Sequence, residues 1–224
     1  MKKYAIIVAA GSGTRMGKQV PKQFLLLQEK PILLHTLDVF LKTFGDVEII
    51  LVVANEYIED ARAISQSALD PNRIAITTGG DTRFQSVKNG LDLVSEDSIV
   101  FVHDGVRCLV TEKLIRACFT AAVEKGNAVP SINPVDSIRV ETHNGNVVIN
   151  RDKVHIVQTP QTFRSKILKA AFEQEYQDSF TDEATVVEMT GEKINLIEGE
   201  INNIKITRPI DLVIAENILS ERWE

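Results

Sequence analysis

Cysteine is scarce in this chain: only Cys108 and Cys118 occur in 224 residues, without the spacing of a zinc site. A disulfide framework or structural zinc is therefore not what holds the fold, and the pair reads as reduced, with Cys118 a core residue. Excess positive charge is missing too. Twenty-five Lys and Arg stand against 31 Asp and Glu, a net charge of -6, which argues against nucleic acid or an anionic membrane as partner. No apolar run approaches the roughly 18 residues of a membrane span. The short run after Met1-Lys2-Lys3 cannot form a signal-peptide core, so a cytoplasmic location is expected. The four histidines, His35, His103, His143 and His155, form no His-Glu-x-x-His pair, and no nucleophilic triad is apparent. Each reads as a packed or solvated side chain, His103 included, because neighbouring strand residues face opposite sides. With no internal repeat or low-complexity tract, residues 1–224 read as one domain.

Two familiar phosphate loops are also absent. After Gly11 and Gly13 the next glycine is Gly17, one residue late for G-x-G-x-x-G, and Gly13, Gly17, Lys18 and Gln19 do not make the ATPase loop. What stands there is Ala9-Ala10-Gly11-Ser12-Gly13-Thr14-Arg15-Met16-Gly17, between the apolar run Tyr4-Ala5-Ile6-Ile7-Val8 and Pro21-Lys22-Gln23. A buried strand ending in a small-residue loop with Arg15 and Lys22 beside it points to a nucleotide phosphate held by another scheme.

Further along, residues 33, 37, 40 and 41 share one helical face, and Val47 to Ala54 is a β-branched run with almost no alternation, which suits a strand buried on both faces. Helices are predicted over 57–69, 83–94 and 164–176, with strands over 73–77, 98–104 and 193–198. Thr78-Gly79-Gly80-Asp81 forms a second glycine turn. Thr111 caps a helix that Gly126 ends, Thr181-Asp182-Glu183-Ala184 starts another, and a last helix after Pro209 turns Ile210, Val213, Ile214 and Ile218 inward. The alternation predicts an α/β fold with a Rossmann-like, doubly wound, mostly parallel sheet. It breaks at Asn127 to Pro134. Beyond the break, strands 136–141 and 146–150 flank an Asn-Gly turn, predicting a protruding β-hairpin arm at about 133–157. A hairpin alone is marginal, so the arm is expected to pack on a second copy and make a homodimer.

Asp104 ends a strand on the side where open α/β sheets bind ligands, and its hard carboxylate suits Mg²⁺, whose shell a nucleotide's phosphates and water would complete. A triphosphate meeting an acidic substrate in an acidic protein needs local cations. Taken singly, Lys205 reads equally as an outward strand residue or a functional one, Arg151 as a solvated charge, and Asp81 as a turn residue or helix cap.

Taken together, these motifs resemble the 2-C-methyl-D-erythritol 4-phosphate cytidylyltransferase family of the non-mevalonate isoprenoid pathway. The resemblance runs nearly end to end. It rests on Ala9 to Met16, Pro21-Lys22-Gln23-Phe24, Gly79-Gly80-Asp81 with Arg83 and Ser86, Val102-His103-Asp104, Arg151-Asp152-Lys153, Gln158-Thr159-Pro160-Gln161, Thr181 to Ala184 and Asn203 to Thr207. It implies attack by a polyol phosphate on the α-phosphorus of CTP, with Mg²⁺ as cofactor and no general base. By the same resemblance Arg15, Lys22 and Lys205 are catalytic and Asp104 holds the metal. Ala10, Gly11, Gly80, Asp81, Ser86 and Gly105 surround the cytidine. Arg107 lies near the sugar-phosphate with Lys205, and Ser137, Arg151 and Thr159 serve the second substrate, the arm reaching across the dimer. One stretch departs from the family pattern. Gly105-Val106-Arg107-Cys108 stands where Ala-Ala-Arg-Pro or Ala-Val-Arg-Pro is usual, so a proline that would fix the backbone is missing. Ser137 replaces the usual Thr and keeps the hydroxyl. A ribitol-5-phosphate cytidylyltransferase, or an inactive nucleotide-binding regulator, would share many of these residues.

Overall fold

The computed structural model describes residues 1–11, 21–95 and 97–221. Strand β1 (Lys2–Ala9) is followed by a short hairpin of β2 (Leu26–Leu27) and β3 (Lys30–Pro31), then α1 (Ile32–Thr43), β4 (Val47–Val53), α2 (Ile58–Gln66), β5 (Ile74–Thr78) and α3 (Arg83–Leu91). Next come β6 (Ser98–Asp104), α4 (Glu112–Lys125), β7 (Asn127–Ile132), the hairpin β8 (Ile138–Thr142) and β9 (Gly145–Ile149), β10 (Ile156–Val157) and β11 (Gln161–Arg164). Helices α5 (Ser165–Ala171) and α6 (Glu183–Glu188), strand β12 (Leu196–Glu198) and α7 (Pro209–Glu221) complete the described chain.

The main sheet runs β10-β7-β11-β6-β1-β4-β5, with β12 beside β7. Pairings β1–β4, β1–β6, β4–β5 and β7–β12 are parallel, while β11 runs against β6 and β7, and β10 against β7. The expected doubly wound, mostly parallel sheet is present. Its central strands are apolar on both faces because both are covered: Ala5 and Ile7 of β1 join Leu37, Phe40, Leu114 and Cys118 from α1 and α4, while Tyr4 and Ile6 join Phe84, Val87, Leu168 and Val187 from α3, α5 and α6. Local signals end the helices as expected. The Thr111 hydroxyl accepts the Leu114 N–H at 3.1 Å, and Gly126 closes α4 at φ +92°, where a side chain would be strained.

Five expectations need correction. Asn127 to Ile132, where the βα rhythm breaks, is a strand of the main sheet: Pro130 has no N–H to donate, but its carbonyl accepts the Gln158 N–H at 2.7 Å. The helix predicted to Tyr176 stops at Ala171, and the strand predicted from Lys193 starts at Leu196. Lys205 lies in an irregular segment, tied by the Ile206 N–H to the Val106 carbonyl at 3.0 Å, and not in a strand. On α7, Ile210, Val213 and Ile214 are 57%, 51% and 43% exposed, while Ala215 and Leu219 are buried against Leu27, Ile32 and Val106. Pro209 to Leu219 is apolar nearly all round, so periodicity cannot choose the inner face and tertiary contacts do. No described helix is long and apolar enough to cross a membrane.

Candidate active site

From β1 the chain steps outward through β4 and β5, then returns to β6 on the other side of β1. Strand order thus reverses at β1, and the crevice beyond the carboxyl ends of β1, β5 and β6 is where such sheets bind ligands. Residues Ala10 and Gly11 follow β1, Gly79 and Gly80 follow β5, and Asp104 ends β6. The two glycine turns approach closely. A Cβ on Gly79 would sit 2.5 Å from the Ala10 Cβ and 2.8 Å from the Ser86 Oγ, so no other residue fits there without displacement. Ser86 accepts the Gly80 N–H at 3.2 Å and donates to the Thr82 carbonyl at 2.9 Å, while the Thr82 hydroxyl caps α3 by accepting the Gln85 N–H at 3.0 Å. The cap is therefore Thr82, and Asp81 is left exposed on the cleft wall. Gln23, almost fully buried, donates to the Ala9 carbonyl at 2.7 Å and the Gly11 carbonyl at 3.3 Å, pinning the start of the first loop to the turn that carries Lys22.

Asp104 is the electrostatic centre. Lys205 Nζ lies 3.0 Å from Oδ2, Arg107 Nε 3.4 Å from the same oxygen, and Arg83 Nη2 3.5 Å from Oδ1. Burial alone would raise the Asp104 pKa, but Arg83, Lys205 and Arg107 together outweigh it and hold the carboxyl far below the usual range. Arg83 also grips Glu183 of α6 with both terminal nitrogens, Nη2 to Oε2 at 3.0 Å. Glu183 is 1% exposed, and burial pushes its carboxyl upward against the pull of Arg83. His103 points away from the cleft. Burial lowers its pKa to about 4, which keeps the ring neutral near pH 7. Cys118 is inert as a thiol, pushed up to about 12 by burial.

One cleft brings together Ala10, Gly11, Lys22, Gly80, Asp81, Ser86, Asp104 and Lys205, with Gln23, Arg83 and Thr207 also on its wall. Gly105 and Arg107 form the turn behind Asp104, and Arg107 Nη1 donates to the Asn203 carbonyl at 2.8 Å. Thr159 is buried under that turn, its Oγ1 accepting the Asp104 N–H at 3.1 Å. Ser137 and Arg151 are exposed on and beside the arm and do not line this cleft; Arg151 donates to the Val135 carbonyl. Arg15 lies outside the described residues. Among the described residues no group of three or more His, Cys, Asp or Glu could hold a metal by itself. A single ionised carboxylate, completed by substrate phosphates, is nevertheless the donor set Mg²⁺ commonly takes, and Asp104 fits it.

A model of the family described as 2-C-methyl-D-erythritol 4-phosphate cytidylyltransferase matches residues 4–221. The chain belongs to this family. The cytidylyltransferase of Bacteroides fragilis is 42% identical over 219 residues, covering 98% of this chain and all of that protein. That of Azobacteroides pseudotrichonymphae is 46% identical over 224 residues, covering 97% and 99%. Among solved structures, 4-diphosphocytidyl-2C-methyl-D-erythritol synthase from Anaerococcus prevotii superposes with a TM-score of 0.84 at 29% identity, covering 98% of each chain. The cleft wall holds two residues for which the sequence suggested no role, Gln23 and Arg83, and Glu183 is buried behind Arg83. Gln23 follows Lys22 directly and Arg83 opens the helix after the second glycine turn, so their positions were suggestive. The Arg83–Glu183 pair spans 100 residues and left no local trace.

Proposed function

We propose that this chain transfers the cytidylyl group of CTP to 2-C-methyl-D-erythritol 4-phosphate, releasing pyrophosphate and forming 4-diphosphocytidyl-2-C-methyl-D-erythritol for isoprenoid synthesis. The observation that carries this reading is the gathering of Lys22, Arg83 and Lys205 with Asp104 in one cleft at the sheet's switch point, in a chain of this family. A phosphate oxygen of the acceptor attacks the α-phosphorus, a P–O bond forms there, and the bond to the bridging oxygen of pyrophosphate breaks. The attacking oxygen is already anionic. No base is required, and catalysis reduces to positioning and charge stabilisation.

Each side chain has a task in that scheme. Gln23 holds the start of the first glycine loop to the Lys22 turn and Ser86 holds the second glycine turn to α3, so that the nucleotide meets backbone and not bulk. Lys22 and Lys205 face the negative charge that builds up as five oxygens crowd the phosphorus, as does Arg15 by family resemblance. Asp104 would hold Mg²⁺, which when bound offsets triphosphate charge. Lys205 rests on the same carboxylate, from which it would turn to the α-phosphate. The acceptor site is completed by Ser137 and Arg151 of a second copy in a homodimer, a reading supported by their exposure outside this chain's own cleft. Arg151 suits that task because its planar fork can bind phosphate through two nitrogens.

The test is pyrophosphate release by the purified chain with Mg²⁺, all four nucleoside triphosphates and a panel of polyol phosphates. CTP with methylerythritol phosphate is expected to turn over far faster than any other pair. Equal or faster turnover with ribitol phosphate would reassign the acceptor, and CTP binding without turnover of any polyol phosphate would make the chain a sensor.

A further inference from the structure

Beneath the cleft lies a layer of groups that the chemistry above does not use. His103 precedes Asp104 on β6, faces the opposite side of the sheet, and is fully buried with the Phe40 ring 5.2 Å away. Its Nε2 is 3.1 Å from the Arg107 carbonyl oxygen and its Nδ1 is 3.0 Å from the Thr159 hydroxyl. A carbonyl can only accept, so Nε2 carries the proton. In a neutral ring Nδ1 is then the acceptor, and Thr159 must donate to it. The Thr159 oxygen in turn receives the Asp104 N–H. On the far side the Asn203 amide donates to the Thr159 carbonyl at 2.9 Å, and the Asn203 carbonyl receives Arg107 Nη1. The bonds close a ring around the turn from Asp104 to Arg107 through Asn203, which lies two residues before Lys205.

This turn is the one where Cys108 stands in place of a proline, so its backbone is not stiffened covalently. Hydrogen bonds hold it instead. His103 pins its Arg107 carbonyl, Thr159 pins its Asp104 amide, and the Thr36 hydroxyl donates to its Gly105 carbonyl at 3.0 Å. We propose that His103 and Thr159 are positioning residues for the transfer. Through the Nε2–H form of the imidazole and the Thr159 hydroxyl, they fix the turn that presents Asp104 to the nucleotide with Arg107 braced behind it. Thr159 thus acts through the backbone of Asp104, and not by touching the polyol phosphate. The inference rests on Asp104 serving the reaction proposed above, whereas the protonation pattern of His103 can be read without any turnover.

Three measurements on the full chain decide it. In nitrogen-15 spectra of histidine-labelled wild type at neutral pH, His103 is expected in the Nε2–H form; the Nδ1–H form would overturn the proposal even if the protein proved inactive. Thr159→Val keeps the shape but removes the hydroxyl. It is expected to lower kcat about tenfold or more while KM for both substrates stays within about twofold, and Thr159→Ser to restore kcat to within about threefold of wild type. Should Thr159→Val fail to fold, Thr159→Ser and the spectrum still decide. A KM for the polyol phosphate that rises at unchanged kcat would make Thr159 a substrate contact. Wild-type kcat in Thr159→Val with only a lower melting temperature would make it merely structural. Thr159→Ser with kcat far below wild type would show that the hydroxyl is not what matters. Each of these three outcomes overturns the proposal.

Discussion

The floor of the cleft and the β8–β9 arm are built in opposite ways. Around Asp104 the carboxylate meets three cations, its amide meets Thr159, and His103 beside it is paired at both ring nitrogens; Asp104, His103 and Thr159 are buried, while Lys205 reaches in from the exposed side. Among the described residues, the only ladder along the arm is the hairpin's own. Val140 and Val147 face each other across it at 44% and 48% exposed, and Val148 is 67% exposed. The first region finds its partners inside the chain, whereas among the described residues the hairpin ladder pairs only with itself. An unsupported two-stranded hairpin is marginal in water, so the arm's apolar residues make sense only against something outside the described chain, which the homodimer would supply. In the function proposed above, the nucleotide half of the site belongs to the self-sufficient region, and the acceptor half, through Arg151 and Ser137, would belong to the dependent one.

The contrast can be broken by substitution. The largest effect is expected at the buried pair. Arg83→Leu strands Glu183 without its partner at 1% exposure and should cost about 3 kcal/mol or more of unfolding free energy in urea, whereas replacing both residues by apolar ones should recover much of it. A double variant as unstable as the single one would show that the loss is not that of the pair. Next comes Lys22→Ala, which should lower kcat roughly 10²–10³-fold, about 3–4 kcal/mol, with CTP still bound in a titration. Unchanged kcat would remove Lys22 from the transition state. The smallest effect on the isolated fold is expected from Val148→Thr on the arm. Its unfolding free energy at a concentration where the protein is monomeric should stay within about 0.5 kcal/mol of wild type, as for other exposed positions. A drop of several kcal/mol would mean the arm packs on its own chain.

The sequence was legible where one local rule decides the outcome. Runs such as Ile49 to Val53 cannot be half-exposed strands, and Thr111 and Gly126 mark helix ends by chemistry a few residues long. β7 was hidden because Asn127 and Pro130 disguise a strand whose bonds are made to β11, β10 and β12 much later in the chain. The exposed face of α7 was misread because a helix apolar on all sides carries no directional signal. In the site, Lys22 and Asp104 were readable as a cation beside a glycine loop and a carboxylate at a strand end. Lys205, between two isoleucines, was singled out by the family resemblance and not by its local pattern, and the fold sets it 3.0 Å from Asp104. His103 and Thr159 lie 56 residues apart, and no periodicity reports a bond between them.

The most direct measurement uses two dead subunits. Lys22→Ala damages the cleft and Arg151→Ala the arm. If each cleft is completed by the other copy's arm, a dimer purified with one subunit of each kind keeps one intact site of two, and should show about half the wild-type kcat per dimer. Activity no higher than that of the two parent variants would contradict the account.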